Sequence, residues 1–433
     1  MLSSSDFLGH HFIHHATKQG NTKAIADAST RYTYAQLLDE ITHMAGHLKG
    51  LGLKKGDRAI VALGNTTQHV IAHFGILFAG GISVPLPHDL GTNRLAFYIK
   101  DTQAALIISR DGIFDNTQTK RSPFQDYRQA NSTISPAKKE DLACIMYTTG
   151  STNHPKGVML THQTLLAALS HIMHYVPYQE INRELILLPI SHSFGLGHLY
   201  CATIAGGFAF IEEGLQKMKR VFNTLETEKI SCMPATPPIC SMFLGRYRDF
   251  FLKKARFLQR MVVNSAPLPP EITKKMLDAL PHLRLLVYYG LTEASRSTFI
   301  TLSDEPESRY NSVGKPSQHV TIKLIENEVC ISGPHLFSGY WNLPDETAQS
   351  LQKDWLHTGD LGKIDKDGYL RITGRIKDLI NIGGAKVSGQ EVDYVLKKHP
   401  LVKDAVSVGI KDPDRKSTRL NSSHQIISYA VFC

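Results

Sequence analysis

Thr148-Thr149-Gly150-Ser151-Thr152-Asn153-His154-Pro155-Lys156-Gly157 packs hydroxyls, glycines and one lysine into a single loop. That mixture suits an anionic phosphate. Glycine lets backbone N–H groups approach closely, and hydroxyls and an ammonium add donors. An apolar run, Leu142 to Met146, precedes the loop, and helical spacing begins at His162. The expected local structure is strand–loop–helix. The loop is not the triphosphate-binding P-loop, which needs glycine, four residues, then Gly-Lys-Ser/Thr. Here Gly150 and four residues lead to Pro155-Lys156-Gly157, so the second glycine and the following hydroxyl are missing.

Helix and strand alternate upstream of this loop. Tyr34 to Leu48 carries an apolar stripe at helical spacing, opened by a capping-box pair, Thr33 and Gln36. Ala59 to Leu63 reads as a strand, a helix runs to Gly80-Gly81, and a strand ends at Pro85. Leu95 to Lys100 reads as helix and Ala104 to Ser109 as strand. Such alternation implies parallel sheet covered by helices. Asp111 to Lys139 is polar and is expected to be a long loop or linker. After Thr301 short β-rich pieces follow, with Asp365-Lys366-Asp367-Gly368 as a hairpin signal. The fold class is α/β: a large N-terminal domain, residues 1–374, of helix-covered, mostly parallel sheets, with a β-rich subdomain over about 301–374.

A chain of 433 residues exceeds one typical core, so two or more domains are expected. The formal charge is +9, but the lysines are scattered and no nucleic-acid module is recognisable. Six cysteines without a CxxC pair, and no basic-then-apolar leader, lead to the expectation of a reduced, cytoplasmic setting. Phe194 to Ile211 is uncharged but holds His198 and four glycines. A buried helix–turn–strand fits it better than a membrane span. His10, His11, His14 and His15 lie four apart in pairs but lack cysteine or carboxylate partners beyond Asp6, so a metal there is not favoured.

Five further segments occur with the loop: Leu188-Pro189-Ile190-Ser191-His192-Ser193-Phe194-Gly195, Val263-Asn264-Ser265-Ala266-Pro267-Leu268, Tyr288-Tyr289-Gly290-Leu291-Thr292-Glu293, Trp355-Leu356-His357-Thr358-Gly359-Asp360, and Gly374-Arg375-Ile376-Lys377-Asp378-Leu379-Ile380 running on to Gly383-Gly384-Ala385-Lys386-Val387. Together they resemble the adenylate-forming (AMP-binding) superfamily of acyl-CoA synthetases, luciferases and peptide-synthetase adenylation domains, and most closely its carboxylate–CoA ligase branch. The resemblance implies that Thr148, Thr149, Gly150, Ser151, Thr152 and Lys156 hold the β- and γ-phosphates of ATP. It places Tyr289, Gly290 and Leu291 on the nucleotide, Thr292 at the α-phosphate, and Glu293 on Mg²⁺. Asp360 and Arg375 would meet the ribose, and His192 would stand beside the acyl group. Lys377 would be the pivot between two domains, and Gly383 and Gly384 would line the tunnel for CoA. Two departures stand out. Asn153 replaces a glycine, and Asn264-Ser265 replaces the usual Gly-Gly pair.

The implied reaction is ATP-dependent activation of a carboxylic acid, a fatty acid in the leading reading, to acyl-AMP, followed by transfer to CoA. Thr292, Glu293, Lys156 and His192 would carry it. Two other readings fit the same residues: a degenerate homologue that binds ATP or acyl-AMP without full turnover, and an acyl-AMP ligase that loads a carrier protein. The resemblance ends near residue 412. The small α+β C-terminal domain is then expected to be incomplete, residues 375–414, since such a domain has roughly a hundred residues. Residues 415–433 show no resemblance. The family's terminal Gly-Lys motif is absent, so impaired adenylation is expected, and Ala405 to Ile410 would be an unprotected apolar edge.

Overall fold

The helix Thr67–Phe78 is buried at every residue but Gln68, and Ser193–Ile204 at every residue after its first. A helix without a wet face must lie between layers. Thr67–Phe78 packs on one sheet and Ser193–Ile204 on another. The two helices meet through Phe74 and Tyr200, whose ring centroids are 5.7 Å apart. His73 crosses the same junction: its Nδ1 lies 2.7 Å from Ser83 Oγ, and its Nε2 bonds the Tyr200 hydroxyl. Burial holds this imidazole neutral, down to about 3, so it serves as a polar rivet rather than a charge.

The structure, a computed structural model, describes residues 7–135, 137–148, 155–176, 178, 182–382, 385–396, 399, 402, 405–411 and 418–424. The first sheet has nine strands. Its centre is parallel: Arg284–Tyr289, Arg260–Val263, Cys232–Ala235, Arg183–Ile186, Phe208–Ile211 and Lys23–Ala26 lie side by side. Antiparallel strands close both edges. The second sheet has seven strands, with Leu106–Ser109, Arg58–Ala62, Ile82–Pro85 and Leu142–Thr148 parallel at its centre. The third is antiparallel and five-stranded, built from Thr321–Ile325, Glu328–Ser332, Leu351–Gln352, Trp355–Ile364 and Leu370–Arg375. The capping box of Tyr34–Gly50 forms as expected, and Phe194 to Ile211 is a buried helix, a Gly206-Gly207 turn and a strand. No helix among the described residues is long and apolar enough to cross a membrane.

Three expectations are corrected. The phosphate loop does not open a helix. Lys156–Thr161 is a strand antiparallel to Leu142–Thr148, so the loop is the tip of a β-hairpin. Asp111 to Lys139 is not a plain loop either. Gly112–Asp115 and Lys120–Ser122 add two antiparallel strands, and a 3₁₀ helix spans Phe124–Gln129. Three buried anchors, Ile113, Phe124 and Tyr127, suffice to hold that polar segment down. Finally, Ala405–Lys411 is not a bare edge: Thr418–His424 pairs with it antiparallel along its whole length.

Candidate active site

The carboxyl ends of the parallel strands in the nine-stranded sheet point to one cleft, the usual ligand position in such sheets. Arg183–Ile186 leads to His192 and Ser193, Arg260–Val263 to Asn264 and Ser265, and Arg284–Tyr289 to Gly290–Glu293. The hairpin contributes Thr148 and Lys156. The five-stranded sheet contributes Thr358, Gly359 and Arg375. These residues enclose about 840 Å³.

The Gly290–Glu293 turn is tight. Leu291 and Ala294 exchange backbone hydrogen bonds of 3.1 and 3.2 Å. A Cβ on Gly290 would fall 2.5 Å from the Arg296 nitrogen, so only glycine fits. The turn presents Thr292 and Glu293 to the cleft, with Thr292 Oγ1 at 3.4 Å from Ser193 Oγ. Glu293 is half-buried and accepts from the Tyr340 hydroxyl at 2.9 Å. Burial pushes its pKa above the usual carboxylate range, while Tyr340, Lys156 and Arg375 pull the other way. Lys156 Nζ lies 5.0 Å over the Tyr340 ring. Trp341 N–H donates to the Gly157 carbonyl at 2.7 Å, which fixes the hairpin against this segment. Glu293 thus offers one carboxylate, the oxygen-ligand type that a hard cation takes, with one of its oxygens held by Tyr340.

Asp360 is buried and bridges two residues. Tyr289 Oη donates to its Oδ2 at 2.7 Å, and Arg375 Nε lies 2.7 Å from Oδ1. The Arg375 approach pairs charges but is not angled as a hydrogen bond, so Oδ1 keeps acceptor capacity. Burial raises the Asp360 pKa, and Tyr289 and Arg375 offset part of this. Tyr289 is nearly as buried as Asp360, and Tyr288 is the tyrosine that lines the cleft. His192 stands exposed to the cleft, yet the protein around it lowers its pKa, so it is neutral.

Asn264 donates from Nδ2 to the Tyr288 carbonyl at 2.9 Å and accepts from the Ser265 N–H through Oδ1. Ser265 sits at φ +87°, a conformation that favours glycine. The sequence departure at this loop is thus a strained backbone. Ser265→Gly is expected to stabilise the protein by about 1 kcal/mol. A melting temperature equal to or below that of the natural chain would contradict this.

Lys377 lies in the 3₁₀ turn Ile376–Asp378, where the chain leaves the five-stranded sheet and enters a separate hairpin, Leu379–Ile382 with Ala385–Ser388. Thr149, Gly150, Ser151, Thr152, Gly383 and Gly384 lie outside the described residues. Two groups escaped the sequence reading. Tyr340, the partner of Glu293, has no local signal. Glu328 does have one, the His357 within Trp-Leu-His-Thr-Gly-Asp: its Oε2 lies 2.8 Å from His357 Nδ1, and its Oε1 accepts from Gly359 N–H at 2.8 Å. Cys330 Sγ is 3.6 Å from the same imidazole. These bonds within the group account for its closeness. The four N-terminal histidines form no comparable cluster: His15 Nε2 is 2.7 Å from the Ile204 carbonyl instead.

Known proteins share this architecture. A feruloyl-CoA synthase from Amycolatopsis is 27% identical, covering 94% of this chain and 86% of its own length. A long-chain-fatty-acid–CoA ligase from Bacillus subtilis is 29% identical, covering 91% and 81%. Among solved structures, VinN is 27% identical with a TM-score of 0.77, covering 86% of this chain and 100% of its own. The o-succinylbenzoate CoA synthetase of Bacillus subtilis in complex with AMP is 22% identical with a TM-score of 0.85 over 96% of this chain and 89% of its own, a likeness of fold. The family model for AMP-binding enzymes matches residues 12–341, and the chain belongs to that family.

Proposed function

We propose that this chain activates an organic carboxylic acid with ATP and passes the acyl group to the thiol of CoA. The observation that carries this reading is the convergence of Thr292, Glu293, Lys156, His192 and Arg375 on one cleft, with Asp360 buried against Arg375. The relatives' names, all CoA synthases or ligases, support it. In the first step a carboxylate oxygen bonds to the α-phosphorus of ATP and the α–β bridging bond breaks, giving acyl-AMP and pyrophosphate. Thr292 orients the α-phosphate and Lys156 offsets charge on the phosphates. Most of the gain comes from position and fixed charge. Mg²⁺, held by Glu293, would supply charge neutralisation. Asp360 accepts from the ribose, with Arg375 beside it. In the second step the CoA sulfur bonds to the acyl carbon, and AMP leaves as the anhydride bond breaks. Lys377, exposed at the change of sheet, is the pivot by which residues beyond it would turn for this step.

The direct test incubates the protein with ATP, Mg²⁺, CoA and a panel of carboxylic acids. Acid-dependent pyrophosphate release and a CoA thioester in the mass spectrum are expected. Pyrophosphate release indifferent to the acid, or none with any acid, would rule the reading out. Acyl-AMP that accumulates without thioester would favour a carrier-protein thiol instead.

A further inference from the structure

Phe194 and Tyr288 line the cleft on the side where Ser193 Oγ comes within 3.4 Å of Thr292 Oγ1. Phe194 is 9% exposed and Tyr288 4%. Their rings meet edge to face, with centroids 5.6 Å apart and planes at 88°. Both rings are packed from behind, so neither is free to withdraw. The Tyr288 ring lies 5.3 Å from that of buried Phe299, and the Arg296 guanidinium carbon stands 5.5 Å over it. Phe194 meets the ring of buried His198 at 5.3 Å. Asn264, hydrogen-bonded to the Tyr288 carbonyl, fills the adjoining wall.

Lys156 and Arg375, which the reading above gives to the nucleotide, come from the other two sheets. An acid that reacts beside Thr292 therefore turns its carbon chain toward His192, Asn264 and the two rings. A long alkyl chain needs a run of apolar wall there, since each buried methylene is worth about fourfold in affinity. The cleft has three aliphatic side chains among the described residues, Leu291, Leu356 and Ile376, and they stand on three separate elements. A crevice lined by Leu165, Leu169 and Leu196 adjoins the cleft at Ser193 and Thr292. Its volume is about 20 Å³, room for one water and not for a chain.

We propose that Phe194 and Tyr288 set the length of the acid, and that the acid activated here is a short one whose carbon skeleton ends against these two rings. The proposal rests on the adenylation reading and narrows its substrate from a long-chain to a short-chain acid.

The test measures ATP–pyrophosphate exchange with straight-chain acids from acetate to decanoate, and with benzoate and hydroxycinnamate. In an apolar tunnel kcat/KM would climb about fourfold with each methylene. Here it is expected to peak at butyrate or a shorter acid and to fall at least about 100-fold by octanoate, as when a packed pocket rejects added volume. Tyr288→Gly and, separately, Phe194→Ala should raise octanoate exchange at least about 10-fold while acetate exchange falls. The profile of the natural chain decides the matter alone if neither variant folds. Calorimetry with acetyl and octanoyl sulfamoyl analogues of acyl-AMP runs beside it, and the acetyl analogue is expected to bind tighter. Octanoate or either ring acid used as well as the best short acid overturns the proposal and leaves adenylation standing. Folded variants that keep the natural profile overturn the role of the two rings. No exchange with any acid, but tighter binding of the acetyl analogue, supports the length limit and counts against turnover alone. No exchange and no preference between the analogues overturns the proposal as well.

Discussion

Glu293→Gln is expected to lower acid-dependent ATP–pyrophosphate exchange by about 100- to 1,000-fold, the loss typical when one fixed charge is removed from a reacting phosphorus. Gln keeps the shape and can still accept from the Tyr340 hydroxyl, so the turn should survive. What it removes is the negative charge that balances Lys156 and would hold the cation. The same substitution should raise the melting temperature. Burial lifts the Glu293 pKa above its unfolded value, so the ionised carboxylate disfavours folding at neutral pH. The sign is that of a raised carboxylate: stability is fully present below the unfolded glutamate value and is lost as pH rises from there through the raised folded value. Activity runs the opposite way, because the cation needs the ionised form. The natural chain should therefore lose exchange activity on acidification at a pH above the ordinary glutamate range. A variant that keeps activity within a few-fold, or one that melts earlier at pH 8, would show that Glu293 is a structural acceptor for Tyr340 only.

How much of this was readable beforehand depended on sequence distance. The Thr33–Gln36 capping box spans three residues, and its bonds form as read. The buried helix and strand from Phe194 to Ile211 were legible because no position carries a formal charge and every one but His198 is apolar or small. The hairpin at Lys156–Thr161 was not, since a lysine at its start and a helix straight after it hide a short strand that exists only because Leu142–Thr148 offers an edge. The polar segment after Asp111 was misread for a related reason: its few anchors are buried by Tyr34–Gly50, far away in sequence. Tyr340 meets Glu293 across 47 residues, and Arg296 packs against Gly197, far away in sequence. Motifs locate what touches the nucleotide. They do not show the side chains behind the motif.

Asp360→Asn is expected to raise the dissociation constant for ATP by about 10- to 100-fold, the value of one or two hydrogen bonds to a charged group. The carboxylate acts in three ways: it accepts from Tyr289 Oη, pairs with the Arg375 charge, and keeps acceptor capacity on Oδ1. Asn can retain the first. It loses the second, and Arg375, whose side chain is 44% exposed, can then turn to solvent at little cost. The effect should thus fall on nucleotide affinity more than on stability. Asp360→Ala should differ, because it also leaves the buried Tyr289 hydroxyl without its acceptor, at about 1–3 kcal/mol. Pairing each change with Tyr289→Phe separates the two terms: the stability loss of Asp360→Ala should shrink on the phenylalanine background, while the ATP penalty of Asp360→Asn should persist. Calorimetry with ATP and thermal melts of the three single and two double variants measure both. If Asp360→Asn binds ATP as tightly as the natural chain, Asp360 is a strut between Tyr289 and Arg375, and the ribose lies elsewhere in the cleft.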